Sequence, residues 1–211
     1  MSSEDAILGW TRRPPSVLAS SAVSAFLVST GVVALAEIGD KTQLLALLLA
    51  ARFKKPVPII LGILVATLAN HALAGAVGAW LAQAIGAGSM RWILGVSFIA
   101  MAVWIMIPDR ISSDAPVAPR FGVFITTLVA FFLVEMGDKT QIATVALAAR
   151  YDALIAVVAG TTLGMMIANV PAVLLGEIAA KKLPQRLVHG IAAVLFAALG
   201  IIVLLRVDAW I

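Results

Sequence analysis

The sequence predicts an all-α integral membrane protein whose six transmembrane helices form two inverted three-helix repeats. Three observations predict this fold class: an apolar composition, six segments long enough to cross a bilayer, and an internal duplication. Of the 211 residues, 62% are hydrophobic and 12% are charged, whereas soluble domains average about 45–50% and about 25%. The composition therefore excludes both a water-soluble globule and a disordered chain.

Charge and cysteine content exclude further classes of protein. The net charge is only +4, and the basic residues stand in small groups between apolar runs. This distribution is typical of membrane-protein loops rather than of a nucleic-acid-binding surface. The chain has no cysteine, which excludes disulfides, thiolate metal sites and cysteine nucleophiles. It has no GxxxxGK(S/T) motif either, so we expect no nucleotide cofactor and no ATP-driven pumping.

Six apolar segments alternate with short polar separators. A helix needs about 20 residues to cross the hydrocarbon core of a bilayer. The predicted spans are Val23–Ala51, Pro58–Ala84, Met90–Ile107, Phe121–Ala149, Ala153–Ala180 and Leu187–Leu205. A polar segment precedes them at 1–22, and no loop is long enough to hold an extramembrane domain.

The first and fourth spans carry copies of one motif. The sequence EIGDKTQ at 37–43 returns as EMGDKTQ at 135–141, and both copies are followed by LAAR at the same offset of 98 residues. We therefore predict a tandem duplication with repeats at 23–107 and 121–211, joined by a linker at 108–120.

The number of spans in each repeat sets their relative orientation. Two consecutive three-span units enter the bilayer in opposite directions and are related by a pseudo-two-fold axis in the membrane plane. That axis brings the two motifs face to face. Lys and Arg number eight on one side and five on the other. The positive-inside rule then places the linker in the cytoplasm and both termini outside, and we expect the membrane to be a bacterial inner membrane.

Each motif lies at the centre of a 29-residue apolar segment. A continuous helix of that length would be about 43 Å long and would exceed the hydrocarbon thickness. The helix must therefore tilt, kink or break, and Gly39 and Gly137 are the expected positions of a break. Centring also puts the acidic side chains near the midplane, where an ionised carboxylate costs at least about 2.5–3.5 kcal/mol.

The acidic residues of the two motifs predict a cation site. On a continuous helix, Glu and Asp three positions apart share a face, and the next lysine points about 100° away. Pairing each lysine with one acid would leave two carboxylates uncompensated, so a purely structural role fits poorly. The predicted metal ligands are Glu37, Asp40, Glu135 and Asp138, and the predicted charge-compensating residues are Lys41 and Lys139.

The donor set and the charge indicate which ions fit. All-oxygen ligation suits Mg²⁺, Ca²⁺ or Mn²⁺ rather than Zn²⁺ or Cu⁺. Four carboxylates and two lysines carry a net charge of −2, which one divalent cation or two protons would neutralise. Crowded carboxylates in a low dielectric are readily protonated, so this charge predicts cation–proton exchange.

Several neutral residues are candidates for additional ligands or gate residues. They follow the motifs or recur in the second span of each repeat: Thr42, Gln43, Thr140, Gln141, Asn70 and Asn169. The asparagines fit interhelical hydrogen bonding equally well. His71 has no counterpart, because Val170 occupies the matching position; it is a candidate proton carrier or a packing residue.

A doubled Glu-x-Gly-Asp-Lys/Arg-Thr/Ser motif in a small six-span chain resembles the cation transporters of uncharacterised protein family sixteen. The bacterial, MneA-like members of that family export manganese, and the eukaryotic members are Golgi Ca²⁺/Mn²⁺–proton antiporters. The resemblance implies that Glu37, Asp40, Glu135 and Asp138 bind the transported ion. The 13-residue linker is shorter than the central cytosolic loop of some members, so the resemblance does not extend to regulation through such a loop.

The predicted function is secondary active transport, not enzymatic catalysis. We expect export of Mn²⁺ or Ca²⁺ in exchange for protons, by alternating access around a midplane four-carboxylate site. One alternative is a passive divalent-cation channel, although a closed carboxylate pocket would hold the ion too tightly for fast conduction. The other is an intramembrane aspartyl protease, in which two aspartates share a proton. The predicted partners are the metal ion, the proton and the lipid bilayer, and the sequence leaves the oligomeric state open.

Overall fold

The computed structural model describes residues 15–107, 122–175 and 185–205, and throughout these ranges the regular secondary structure is helical. The predicted linker at 108–120 and the end of the fifth predicted span at 176–180 lie outside the described residues. The helices are α1 (Pro15–Glu37), α2 (Lys41–Phe53), α3 (Pro56–Ala84), α4 (Ala87–Trp104), α5 (Gly122–Glu135), α6 (Lys139–Arg150), α7 (Leu154–Leu175) and α8 (Gln185–Leu205).

Four of these helices are long and apolar enough to cross a membrane by length and composition. They are α1, α3, α7 and α8, over the segments Ala19–Glu37, Pro56–Ala84, Leu154–Leu175 and Arg186–Leu205. The apolar segments of α4 and α5 are shorter. Large hydrophobic side chains such as Leu27, Leu133 and Ile155 lie on the outer surface, while polar residues are buried inside. This distribution is that of an integral membrane protein.

The two longest predicted spans are each divided into two helices. The first consists of α1 and α2, and the fourth consists of α5 and α6, with the division falling inside the repeated motif in both cases. The division corrects one expectation from the sequence. Because the chain leaves the helix between the Glu and the Asp of each motif, these two residues do not share the face of one continuous helix.

Helix packing is reciprocal between the two halves of the chain. Helix α1 packs along α7, and the corresponding first helix of the second half, α5, packs along α3. A Cβ atom on Gly160 would lie 2.5 Å from the carbonyl oxygen of Phe26, and one on Gly62 would lie 2.9 Å from that of Phe124. Each glycine and each phenylalanine is 98 positions from its counterpart. Small residues therefore permit the same close backbone approach twice.

Helices α4 and α8 pack against each other. Their buried rings, Phe98 and Phe196, stand 6.3 Å apart at equivalent positions of the two halves. Each half therefore supplies the same aromatic side chain to this contact. The remaining core lies between the broken helices and α3 and α7, so the two motifs come together in the protein interior.

Candidate metal centre

The chain breaks its helical path at the same point in both motifs. Helix α1 ends at Glu37 and α2 begins at Lys41, and between them Gly39 adopts a φ of 84°. In the second motif Gly137 adopts a φ of 75°. A residue with a Cβ would lose about 1–2 kcal/mol in this left-handed conformation, so glycine explains why the break falls here.

The side chain of the glutamine that ends each motif accepts a hydrogen bond from the backbone of the helix break. The backbone N–H of Gly39 donates to Gln43 Oε1 over 2.9 Å, and that of Gly137 donates to Gln141 Oε1 over 2.7 Å. Gln43 Nε2 also donates to the carbonyl oxygen of Ala168 on α7, 3.0 Å away. The side-chain oxygens of both glutamines are thus hydrogen-bonded to the backbone, and these residues shape the break.

Each motif aspartate occupies the N-cap position of the helix that follows the break. Asp40 and Asp138 have the extended backbone of an N-cap, with ψ angles of 170° and 167°, yet neither side chain caps its helix. An N-cap aspartate usually accepts a hydrogen bond from the first turn. Here both carboxylates instead face the opposite motif.

The two motifs exchange ion pairs. Lys41 Nζ lies 3.1 Å from Asp138 Oδ1, and Lys139 Nζ lies 3.6 Å from Asp40 Oδ1. Lys139 also donates to the carbonyl oxygen of Ile107 over 3.2 Å. The exposed fraction of the side chain is 3% for Lys139 and 25% for Lys41. Each lysine is therefore the counter-charge of the aspartate in the opposite motif. The Lys139–Asp40 pair is more deeply buried than the Lys41–Asp138 pair.

Three of the four predicted acidic ligands converge. Glu37, Glu135 and Asp138 offer carboxylate oxygens that all lie within 4.8 Å of one another, and all three residues are buried. Two oxygens on opposite sides of an ion at about 2.2 Å would be about 4.4 Å apart, so this spacing fits one shared ion. Asp40 is not part of this group of three and lies against Lys139.

Much of the carboxylate surface accepts no hydrogen bond from the described residues. Both oxygens of Glu37 are in this position, as are Oε2 of Glu135 and Oδ2 of Asp138. A buried anion without compensating donors is costly. The geometry therefore favours neutralisation of these oxygens by a cation or by protons.

Neutral polar residues surround the carboxylates. Thr140 Oγ1 donates to Glu135 Oε1 over 2.9 Å. The amide nitrogens of Asn70 and Asn169 donate to the carbonyl oxygens of Phe132 and Met165, both over 3.0 Å. Within the described ranges the side-chain oxygens of these two asparagines and of Thr42 have no hydrogen-bond donor. Of the neutral residues predicted as additional ligands, these three therefore keep a buried oxygen without a donor; the hydroxyl oxygens of Ser29, Thr67 and Thr162 are in the same state.

Two contacts of the site involve the chain's two histidines. His71 Nε2 lies 3.5 Å from Glu135 Oε1. His189 on α8 donates from Nε2 to the carbonyl oxygen of Ile38, in the first break, over 2.7 Å. His189 is a site residue that the motifs do not indicate. At the offset of 98 that relates Phe98 to Phe196, its counterpart is Arg91, so the duplication gives no signal for it, and only the packing of α8 brings it to the break.

Taken together, the fold and this site define a class: an integral membrane protein that encloses a buried carboxylate cluster between two broken helices, as cation transporters do. The family model described as "Divalent cation/proton antiporter GDT1" matches residues 25–113 and 123–209, one segment in each half. The chain belongs to this family, which confirms the resemblance and the prediction of a divalent-cation transporter. The aspartyl-protease alternative is wrong, because the family consists of transporters.

Individual relatives agree with this assignment. A protein of Vibrio cholerae named "Putative manganese exporter" is 51% identical over 180 residues, which cover 85% of this chain and 90% of the relative. A GDT1-like protein of Oryza sativa is 28% identical over 84% of this chain and 72% of its own length. A GDT1-like protein of Synechocystis is 25% identical over 85% of this chain and 96% of its own length. No solved structure matches the chain.

Proposed function

We propose that this protein is a secondary active transporter that exports Mn²⁺ in exchange for protons, with Ca²⁺ as the second candidate cargo. The observation that carries the proposal is the group of buried carboxylate oxygens of Glu37, Glu135 and Asp138, within 4.8 Å of one another between two broken helices. The choice of Mn²⁺ rests on the 51% identical relative, whose name describes a manganese exporter.

The ion is bound by these three carboxylates, with Asp40 as the fourth acidic residue of the same charge network. Thr42, Asn70 and Asn169 supply the buried neutral oxygens. With Lys41 and Lys139 the network has a net charge of −2. One divalent cation or two protons restore neutrality, so the site is neutral in both loaded forms. Because one divalent cation and two protons neutralise the site equally, the charge supports exchange of the cation for protons rather than transport of the cation alone.

The architecture we propose is six spans in two inverted three-helix repeats. The reciprocal packing of α1 on α7 and α5 on α3 supports this arrangement, as does the contact of Phe98 with its counterpart Phe196. The repeats occupy 23–107 and 121–211, after a polar segment at 1–22. The distribution of basic residues supports a cytoplasmic linker at 108–120 and external termini in the bacterial inner membrane.

Transport then requires relative movement of the two repeats. The acidic residues are at most 3% exposed, so an ion reaches them only when the surrounding helices separate on one side. The cross-repeat lysine–aspartate pairs join the two moving units. Alternating access by rocking of one repeat against the other is the expected mechanism for such folds.

A flux experiment in inverted membrane vesicles tests this function. With an acidic lumen, Mn²⁺ should accumulate in vesicles that contain the wild-type protein, and dissipating the pH gradient should abolish the accumulation. Glu37→Gln and Asp138→Asn should each lose uptake, whereas Asp152→Asn, which removes an exposed acid outside the site, should retain it.

Two outcomes would overturn the proposal. Full uptake in all four neutralised variants, at Glu37, Asp40, Glu135 and Asp138, would exclude the carboxylate site. Rapid equilibration of Mn²⁺ without any dependence on the proton gradient would instead identify the passive channel.

A further inference from the structure

The imidazole of His71 lies against the carboxylate cluster in one repeat only. His71 is on α3, is fully buried, and has Nε2 3.5 Å from Glu135 Oε1. At the 98-residue offset that relates Gly62 of α3 to Gly160 of α7, the matching residue of the second repeat is Asn169, not Val170 as the sequence alone indicated. The two motifs therefore face chemically different surroundings, although their own sequences are nearly identical.

We propose that His71 is a direct ligand of the transported ion and that it makes the site select Mn²⁺ over Ca²⁺. This inference rests on the proposed function, because it names a selectivity determinant of the same site. It adds one nitrogen donor to a site whose other donors are oxygens.

The position of the ring fits a shared ion better than a hydrogen bond. Two donor atoms that each lie about 2.2 Å from one ion, at an angle of about 90–105°, are about 3.1–3.5 Å apart. The observed 3.5 Å falls in that range, and is long for a hydrogen bond between nitrogen and oxygen. Among the described residues, neither ring nitrogen of His71 has a hydrogen-bond partner. A buried imidazole in that state has a nitrogen available to a metal. The ring stands outside the group of three acids whose ligand atoms all lie within 4.8 Å of one another, so it joins the ion from the side of Glu135 and moves inward when the ion binds.

Hydrogen bonds of neighbouring residues hold the His71 ring and the Glu135 carboxylate next to each other. Asn70, the preceding residue, donates to the carbonyl oxygen of Phe132, which fixes α3 against α5 one turn before Glu135. Thr140 donates to Glu135 Oε1 and orients the carboxylate from the other side. Glu135 Oε2 remains without a donor from the described part of the chain. The protein itself therefore holds the His71 ring close to the Glu135 carboxylate, without an ion between them.

The chemistry of the donor determines the direction of selectivity. Ca²⁺ is a hard cation that binds oxygen ligands, and a cage of carboxylate and amide oxygens suits it well. Imidazole nitrogen binds transition metals, with affinity rising from Mn²⁺ to Fe²⁺ and beyond. One imidazole therefore raises the affinity for Mn²⁺ relative to Ca²⁺, and the same donor favours Fe²⁺ and Zn²⁺ as competitors.

Electron–nuclear double resonance of bound Mn²⁺ tests the inference directly, on purified full-length protein labelled with 15N-histidine. The chain contains only two histidines, His71 and His189, so His189→Leu leaves His71 as the single labelled residue. We expect a 15N coupling in the wild type and in His189→Leu. We expect none in His71→Val, which removes both ring nitrogens.

A competition assay supplies the functional measurement. In vesicles that contain His71→Val, the concentration of Ca²⁺ that halves Mn²⁺ uptake should fall by about tenfold relative to the wild type, as expected for loss of a metal-binding group. Asp152→Asn, an exposed position outside the site, should leave that concentration unchanged. His71→Asn, which keeps a polar group, serves as a second variant and should also lose the 15N coupling and the selectivity.

The outcomes separate this inference from the function on which it rests. Mn²⁺ bound to labelled His189→Leu without any 15N coupling overturns the role of His71, even if transport is intact. This reading does not depend on the folding of any His71 variant. If the wild type neither binds nor transports Mn²⁺, the proposed function itself fails.

Discussion

Replacing Lys139 by methionine should destabilise the protein more than the same replacement of Lys41. Both lysines pair with an aspartate of the opposite motif, so the two changes remove the same kind of contact at equivalent positions. They differ in surroundings, because the side chain of Lys139 is 3% exposed and that of Lys41 is 25% exposed. The comparison therefore tests the enclosure of the site, not only its charge.

The expected difference follows from the effective dielectric. Over the 3.6 Å between Lys139 and Asp40, an effective dielectric constant of about 20 gives an attraction of about 4.6 kcal/mol. Over the 3.1 Å between Lys41 and Asp138, partial exposure at a constant of about 40 gives about 2.7 kcal/mol. Loss of one partner of a buried pair typically costs about 3–5 kcal/mol. We expect that cost for Lys139→Met and roughly half of it for Lys41→Met.

Reversible unfolding in mixed detergent micelles at neutral pH, without added metal, measures both free energies. Lys55→Met, which removes an exposed lysine outside the site, is the control and should change stability by less than about 0.5 kcal/mol. Equal costs for the two motif lysines, or a greater cost for Lys41→Met, would refute the unequal enclosure of the two ion pairs.

Two further pairs of substitutions test the packing and the breaks. Gly160→Val should lower the unfolding free energy by at least about 1–3 kcal/mol, because its Cβ would meet the carbonyl oxygen of Phe26 at 2.5 Å; Gly190→Ala, with nothing within 4 Å, should be neutral or stabilising. A neutral Gly160→Val would contradict the close approach of α1 and α7. Gln43→Leu should cost about 1–3 kcal/mol and more than Gln141→Leu, because Gln43 makes two hydrogen bonds and is more buried. The same unfolding assay measures both, and a greater cost at Gln141 would count against the reasoning.

The position of the helix break could be predicted from the sequence alone, although the sequence left open a tilt or a kink instead of a break. An apolar segment of 29 residues with a glycine and two acids at its centre is too long for one straight span and carries its own breaking point. The positive φ angles of Gly39 and Gly137 fall at that point. Local sequence was sufficient here because the cause, a glycine beside charges inside an apolar run, is local.

The pairing of the charges could not be predicted in the same way. Lys41 follows Asp40 directly, so the sequence indicated a counter-charge for its own motif, whereas the structure pairs it with Asp138. The partner depends on how the two halves pack, and a one-dimensional pattern contains no such information. The same holds for Asp40, which contacts Lys139 of the opposite half and lies outside the group formed by the other three acids.

The neutral residues show the limit of arguing from repetition. Gln43 and Gln141 recur in both motifs, and recurrence indicated ligands, but their oxygens close the breaks by hydrogen bonds to the backbone. A residue that recurs meets a need common to both halves, and for these glutamines that need is to stabilise the helix break. His71 and His189 do not recur, yet both lie at the site, because contacts that differ between the halves leave no trace in the duplication.

Diffraction at the manganese absorption edge, from crystals grown with Mn²⁺, would locate the bound ion relative to the carboxylate cluster. We predict an anomalous peak about 2.2 Å from carboxylate oxygens of Glu37, Glu135 and Asp138, between the two broken helices. A peak elsewhere in the protein, or none there under conditions that saturate binding in solution, would contradict it.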